Sequence, residues 1–139
     1  MNHIKVGVAV IIIKDKKILL GKRINSIGHN TWAPPGGKMN YKETIENCAK
    51  RETLEETGIH INNVKKSTFT NDLFENDHYV SCFVTAEYDN GNLELKEPDK
   101  CSEWKWFNLN DLPQPLFTPL TNLIKNGSFF FYVTKNFNI

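Results

Sequence analysis

The stretch from Gly37 to Ile59 reads GKMNYKETIENCAKRETLEETGI. Its apolar and acidic residues follow one period if residues 44–57 form a helix that turns about 100° per residue. Relative to Ile45, Glu52 then lies at about −20° and Glu56 at about +20°. The acids therefore continue the apolar stripe, whereas an ordinary surface helix carries its charges opposite that stripe. The sequence predicts a helix whose acidic residues face the body of the protein.

Three acids of this helix are related as i, i+3 and i+4: Glu52, Glu55 and Glu56. Like charges at these spacings repel one another unless something neutralises them. A hard divalent cation with oxygen ligands, Mg2+ above all, is the simplest neutraliser. The competing interpretation is a solvated acidic face held by pairs such as Arg51 with Glu55. A calcium-binding loop does not fit, because its ligands alternate along a loop around a central glycine.

The remaining faces of this helix are also assigned by the wheel. Glu46, Lys50 and Thr57 fall on the outward side, and Leu54 lies nearly opposite the acids. We expect Leu54 to pack on a second surface that sandwiches the helix.

Two flanking segments favour a ligand site over a solvated helix. Residues 32–37 read WAPPGG, where proline stiffens the chain and glycine permits close approach of the main chain to a ligand. Gly58 directly after the acidic turn is the expected helix stop. The elements at these intervals are far more specific together than any one alone.

Composition predicts a single domain spanning residues 1–139, with 40% hydrophobic and 24% charged residues. A net charge of +1 argues against a nucleic-acid partner. The apolar run Val6 to Ile13 is too short to span a bilayer, and the N-terminus shows no signal-peptide pattern, so we expect a cytoplasmic protein without membrane contact. Three cysteines without paired spacing indicate reduced buried thiols rather than disulfides or a zinc site.

The pattern along the chain predicts mixed secondary structure. The continuous apolar run Val6 to Ile13 indicates a strand covered on both faces. Further strands are expected at 17–23, 60–75, 78–88 and around 104–107, with a hairpin turn at 89–92 and an edge strand at 129–133. A last helix begins with Thr118 as its cap and ends at Gly127.

The spacing of Gly37, Glu43 and residues 51–59 resembles the signature of the Nudix hydrolases, with Thr53 where the family usually has an aliphatic residue. The order of elements is similar to the whole Nudix domain. The resemblance therefore implies an α/β fold, an α/β/α sandwich around a mixed sheet. The segments 20–23, 32–38, 97–100 and 104–107 look like the MutT-type nucleoside triphosphate diphosphatases.

The resemblance also implies a reaction, in which water cleaves the phosphoanhydride of a nucleoside diphosphate linked to a group X. It implies Mg2+ as cofactor, with Mn2+ as a substitute, a small nucleotide as substrate, and compatibility with a homodimer. The implied metal ligands are Gly36 through its carbonyl, Glu52, Glu55, Glu56 and a later acid, for which Glu97 competes with Asp99.

The implied catalytic residues are Glu52, Glu55 and Arg51. Either glutamate could deprotonate the attacking water, while Arg51 orients a carboxylate through its planar fork, with Glu43 beside it. Substrate contacts are expected from Arg23, Gly37, Lys38 and Trp32. Arg23 would hold a phosphate and Trp32 a base, although a tryptophan, like Phe74 or Trp106, can equally belong to the core. We expect His29 and His78 to be structural or exposed.

The sequence is compatible with three functions. The first is a nucleoside triphosphate diphosphatase, and the second is the same chemistry on ADP-ribose or a nucleotide sugar. Relatives specialised for ADP-ribose tend to carry a proline beyond the motif, and none lies between Ile59 and Glu97. The third is a non-catalytic binding module, which would not need the intact acids and Arg51.

Overall fold

The computed structural model describes residues 2–127. Within that range the chain forms seven strands and two helices. In chain order they are β1 Ile4–Lys14, β2 Lys17–Arg23, β3 Trp32–Ala33, β4 Gly36–Lys38, α1 Ile45–Thr57, β5 His60–Leu73, β6 His78–Asn90, β7 Cys101–Asn108 and α2 Thr118–Lys125. The strand expected at 129–133 lies outside the described residues.

One mixed sheet joins all seven strands. Its main path runs β3-β2-β1-β6-β5, with β4 paired to β1 and β7 paired to β2. β1 and β6 are parallel, and the other pairs are antiparallel. The path places three long strands, β1, β6 and β5, side by side, with β1 at its centre.

Two hydrophobic cores cover the two faces of this sheet. Alternate residues of β1 point to opposite faces, so that Val10 and Ile12 pack with α1, while Ile11 and Ile13 pack with α2. The α/β/α sandwich is thus confirmed, and so is the prediction that both faces of β1 are covered. Neither helix within residues 2–127 is long and apolar enough to cross a membrane.

The ends of α1 follow from its sequence. Thr44 caps the N-terminus, and its hydroxyl accepts a hydrogen bond from the Asn47 amide at 3.1 Å. Gly58 adopts a left-handed conformation with φ 75° and donates its amide to the Leu54 carbonyl, as expected of a helix stop.

Two predictions on the outer faces of α1 were wrong. Thr57 is completely buried rather than outward, and its hydroxyl donates to the Thr53 carbonyl at 2.7 Å and accepts from the Ile59 amide at 3.1 Å. Leu54 is 37% exposed instead of packed beneath a second surface. The buried face of α1 is therefore rotated towards Cys48, Ala49, Thr53 and Thr57.

Two details of the later chain also differ from expectation. No hairpin forms at 89–92: β6 ends at Asn90, and the amides of Glu94 and Lys96 instead donate to the carbonyls of Thr57 and Glu56, across the end of α1. α2 begins at Thr118, but its cap position is Phe117, which makes no side-chain cap bond. The helix ends at Lys125, and Gly127 follows its cap residue in a left-handed conformation with φ 78°, as expected of a helix stop.

The cysteine prediction is confirmed. Cys48 and Cys101 are buried, Cys82 is half-buried, and all three are free. Burial raises the pKa of each of the three thiols, that of Cys48 to about 11.

Candidate active site

A cavity of about 610 Å³ opens beside α1 and β1 and reaches the start of α2. Acidic side chains from α1 and the 91–100 loop line it: Glu52, Glu55, Glu56 and Glu97. Aromatic and basic side chains line it as well: Arg23, Lys38, Phe74, Tyr79, Lys100, Trp104 and Phe117. The cavity therefore combines a cluster of carboxylates with cations and aromatic rings.

The acids of α1 occupy different environments. Glu52 and Glu56 are half-buried, and Glu55 is exposed. Burial raises the pKa of Glu56 well above its usual value, and the hydrogen bond and negative charge of Glu52 raise it further. The amide of Gly36 lies 3.4 Å from Glu56 Oε1 and offsets part of this effect. Burial and the proximity of Glu52 thus both disfavour the charged form of Glu56.

The two glycines before α1 serve separate contacts. A Cβ atom on Gly36 would lie 2.1 Å from the Val8 carbonyl oxygen, because β4 pairs with β1 here. A Cβ atom on Gly37 would lie 2.5 Å from Cδ of Glu52. The sequence suggested close approach of the main chain to a ligand at this position. In the structure the first neighbours are a strand and a carboxylate.

Arg51 ties the acidic helix to the segment before it. Its Nε and Nη2 donate to the two carboxylate oxygens of Glu43 at 2.7 and 3.0 Å, a bidentate pair. Its Nη1 donates to Glu52 at 2.8 Å and lies 3.3 Å from Oε2 of Glu55, and its Nη2 also reaches the Lys38 carbonyl at 3.0 Å.

The contact between Arg51 and Glu43 shifts the pKa of both side chains. The hydrogen bond from Arg51 lowers the pKa of Glu43 to about 2, and the bond to Glu43 raises the pKa of Arg51. Arg51 is therefore a fixed cation that holds the carboxylate of Glu52 in place.

The side chains present fit a hard divalent cation. All of the candidate donors are oxygen atoms, and burial beside Glu52 disfavours the charged form of Glu56, which a bound cation would favour. Within residues 2–127, however, no three His, Cys, Asp or Glu side chains already converge on one metal position. Glu55, whose side chain is 51% exposed, is turned towards Arg51 instead. It would join the other two acids only by leaving that contact.

Glu97 and Asp99, the two candidates for a further metal ligand, lie in different places relative to the cavity. Glu97 lines the cavity, and its charge acts on Glu56. Asp99 is not among the lining residues, and its carbonyl accepts a hydrogen bond from Asn25. The geometry favours Glu97 of the two.

Arg23 lies on the cavity wall, as expected of a phosphate contact. Its Nε donates to the Ile27 carbonyl at 2.7 Å, and its guanidinium carbon lies 4.1 Å from the centre of the Phe117 ring. Burial lowers the pKa of Arg23, and the charge of Glu56 counteracts this. Lys38 and Gly37 also line the cavity.

The aromatic and histidine candidates divide into two groups. Trp32 is 9% exposed and packs edge-on against Phe107, with ring centroids 5.0 Å apart. It does not line the cavity and belongs to the core on the α2 side. Trp106 packs with the core on the α1 side. Phe74 does line the cavity. His29 and His78 do not, and each bonds to a nearby asparagine.

Several residues that line the cavity are not predicted from the sequence, among them Ser81, Tyr79, Trp104 and Phe117. A signal existed for one of them. Ser81 is a polar residue in the apolar run 79–86, and the alternation of β6 places it on the same face as Phe83. The other three are aromatic residues, which the sequence alone cannot distinguish from core.

A comparison with known families now decides the relationship. A family model described as the NUDIX domain matches residues 3–126. The chain belongs to the Nudix family. It is a Nudix pyrophosphohydrolase that acts on nucleotide-linked substrates.

Individual Nudix proteins resemble the chain to different degrees. It is 38% identical over 118 residues to an ADP-ribose pyrophosphatase of Methanocaldococcus jannaschii, covering 83% of this chain and 68% of that protein. It is 29% identical over 104 residues to an oxidized purine nucleoside triphosphate hydrolase of Danio rerio, covering 75% and 66%. A crystal structure of a MutT NUDIX hydrolase from Burkholderia pseudomallei superposes with a TM-score of 0.82 at 31% identity, covering 88% of this chain and 98% of that one.

Proposed function

We propose that this Nudix protein is a Mg2+-dependent nucleoside triphosphate diphosphatase, which converts a nucleoside triphosphate and water to a nucleoside monophosphate and pyrophosphate. One observation carries the proposal: a single cavity joins the acidic face of α1 to a wall of cations and aromatic rings. The acids, through Mg2+, and the cations suit a triphosphate, and the aromatic rings suit its nucleoside.

The residues of the cavity have two proposed roles, metal binding and proton transfer. When bound, Mg2+ would neutralise phosphate oxygens and polarise the attacked phosphorus; Glu52, Glu55, Glu56, Glu97 and the Gly36 carbonyl are its proposed ligands. Glu52 or Glu55 accepts a proton from the attacking water. The new P–O bond forms as the bond to the bridging oxygen breaks, and pyrophosphate leaves with that electron pair.

Three cations of the lining support a triphosphate as substrate: Arg23, Lys38 and Lys100. A triphosphate carries more negative charge than the diphosphate bridge of a nucleotide sugar, so it gains more from these groups. Arg23 is the best placed to hold one geometry, because its guanidinium is already fixed by the Ile27 carbonyl and the Phe117 ring.

ADP-ribose is the second candidate substrate. It is supported by the name of the Methanocaldococcus jannaschii relative, which shares 38% identity with this chain. The same acids and Arg51 would serve both substrates, since both reactions cleave a phosphoanhydride. The two candidates therefore differ only in which group X the cavity accepts.

A substrate panel tests the proposal. Purified protein with Mg2+ is offered ordinary and oxidised nucleoside triphosphates, ADP-ribose and dinucleoside polyphosphates, and the products are separated by ion-exchange chromatography. We expect monophosphate and pyrophosphate from at least one triphosphate, and loss of turnover on chelation with EDTA, with Mn2+ restoring it. Turnover of ADP-ribose alone would make the preferred substrate wrong. Turnover without any divalent cation would make the cofactor wrong.

The proposal keeps two expectations from the sequence: a cytoplasmic location and compatibility with a homodimer. Light scattering coupled to size-exclusion chromatography measures the mass in solution. A mass of one chain at assay concentration would remove the dimer from the proposal without affecting the reaction.

A further inference from the structure

A carboxylate with no charged partner among residues 2–127 is buried on the α2 side of the sheet, beside the cavity. Asp72 is 0% exposed. It accepts hydrogen bonds from the hydroxyls of Thr70 at 3.1 Å and Ser81 at 2.5 Å, and from Nδ2 of Asn122 at 3.0 Å. All three donors are neutral. The group joins β5, β6 and α2 through one side chain.

This arrangement fixes the polarity of the Ser81 hydroxyl. A serine has one proton to donate and two lone pairs to accept with. Its proton is directed to Oδ2 of Asp72, which also accepts a hydrogen bond from the Thr70 hydroxyl. Ser81 can therefore offer only an acceptor to anything else that meets it.

Ser81 lies at the wall of the cavity. Ser81 lines it, whereas Thr70 and Asp72 do not. In the sheet, Ser81 lies between Thr70 on β5 and Gly7 on β1. Gly7 also lines the cavity and has no side chain, and a Cβ atom there would lie 3.7 Å from the Gly37 carbonyl oxygen and 3.9 Å from Cδ1 of Tyr79.

The walls near Ser81 suit a flat, aromatic ligand group. The Phe74 and Phe117 rings are stacked, with centroids 5.7 Å apart and planes 29° apart. Tyr79, which shares the cavity face of β6 with Ser81, meets Phe74 edge-on at 6.0 Å. A nucleobase is the part of a nucleotide that aromatic walls and a single acceptor would recognise.

We propose that Ser81 Oγ accepts a hydrogen bond from an N–H group of the nucleobase, and that Asp72 is the positioning residue that keeps this oxygen an acceptor. The inference rests on the proposed nucleotide substrate and adds a specificity to it. The site favours a base edge that carries an amino group over the same edge that carries a carbonyl or a hydrogen. A mismatched edge leaves the Ser81 lone pairs unpaired, or sets one acceptor against another.

Pairs of nucleotides that differ at one edge test the inference. ATP and ITP differ at the 6-position, and GTP and ITP differ at the 2-position. We expect wild-type kcat/KM to favour the amino partner of one pair, and Ser81→Ala to reduce that preference about tenfold, mainly through KM. Asp72→Asn presents an amide that can donate to Ser81 and free its proton, so we expect that variant to reduce or invert the same preference.

Thr70→Val is the matched control. It removes a hydroxyl that donates to the same oxygen of Asp72, but Thr70 does not line the cavity. A purely structural role of this network would change the substrate ratio alike in Thr70→Val and Ser81→Ala. Equal ratios in these two variants, or no preference in the wild type, would overturn the inference. Ser81→Cys, which keeps the size of the side chain but accepts weakly, replaces Ser81→Ala if that variant does not fold.

A binding measurement separates this inference from the proposed reaction. Calorimetry with AMP, GMP and IMP measures recognition of the base without hydrolysis. If the wild type hydrolyses no nucleotide, the proposed function fails, and the monophosphate affinities still decide the role of Ser81. If hydrolysis proceeds but neither kcat/KM nor affinity responds specifically to Ser81→Ala, only the present inference fails.

Discussion

The backbone of Gly37 lies directly against the carboxylate of Glu52, so close that a Cβ atom at residue 37 would lie 2.5 Å from Glu52 Cδ. Any side chain at this position must displace the carboxylate. We expect Gly37→Ala to lower kcat/KM about a hundredfold, the cost of moving a catalytic group by roughly an ångström, with little change in melting temperature.

Gly36→Ala is the informative comparison, since its Cβ would meet the backbone oxygen of Val8 at 2.1 Å rather than a movable side chain. We expect it to destabilise the fold by about 1–3 kcal/mol or more. Activity assays and thermal unfolding of both variants check the pair. Equal effects on stability would contradict the separate roles of the two glycines.

Removing one carboxylate charge from α1 tests the metal assignment. We expect Glu55→Gln and Glu56→Gln to lower turnover about 10²- to 10³-fold, because each removes a group that gathers positive charge at the reacting phosphate. Glu46→Gln makes the same chemical change on the same helix, and Glu46 is not among the residues that line the cavity. It should leave turnover unchanged. Wild-type turnover by Glu55→Gln and Glu56→Gln at saturating Mg2+ would contradict the assignment.

Arg51 is expected to act through its geometry as well as its charge. Arg51→Lys keeps the charge but loses the planar fork that holds Glu43 and Glu52 together. We expect activity or Mg2+ affinity to fall about 10- to 100-fold, as when the support of a metal ligand is removed. A Mg2+ titration of activity measures it, with Lys50→Arg on the exposed face as control. An unchanged titration curve in Arg51→Lys would argue for a role of charge alone.

Two buried threonines one turn apart should respond oppositely to the same substitution. Thr57→Val leaves the Ile59 amide without its acceptor, and we expect a loss of about 1–3 kcal/mol in the free energy of unfolding. The Thr53 hydroxyl is buried without a hydrogen-bond partner among the described residues. Thr53→Val should therefore be neutral or stabilising by up to about 1 kcal/mol. Chemical denaturation measures both, and destabilisation by Thr53→Val would show that its hydroxyl is satisfied.

The local structure of the motif could be predicted because its causes are local. The Thr44 cap, the Gly58 stop and the period of the acids each depend on residues within one or two helical turns. The faces of α1 were harder to assign. A wheel gives angles between residues, but which angle is buried depends on where the sheet and the 91–100 loop lie, and these buried Thr57 and left Leu54 exposed.

The substrate side of the cavity could not be predicted, because its residues come from distant parts of the chain. Arg23 was named from its place at the end of a strand, and it does line the cavity. Trp32 is predicted to contact a base, and it lies in the core instead. Phe74, Ser81 and Phe117 line one cavity only because the end of β5, β6 and the start of α2 converge there.

The reaction class can be predicted from the motif alone, since the acids of α1, Arg51 and the two glycines lie within the 21 residues from Gly36 to Glu56. The contacts that the site depends on appear only in the folded chain: Gly37 against Glu52, Arg51 between Glu43 and Glu52, and Ser81 with its proton directed to Asp72. The physical reason is that hydrogen bonds and close packing act over a few ångströms, and separation along the chain does not report that distance.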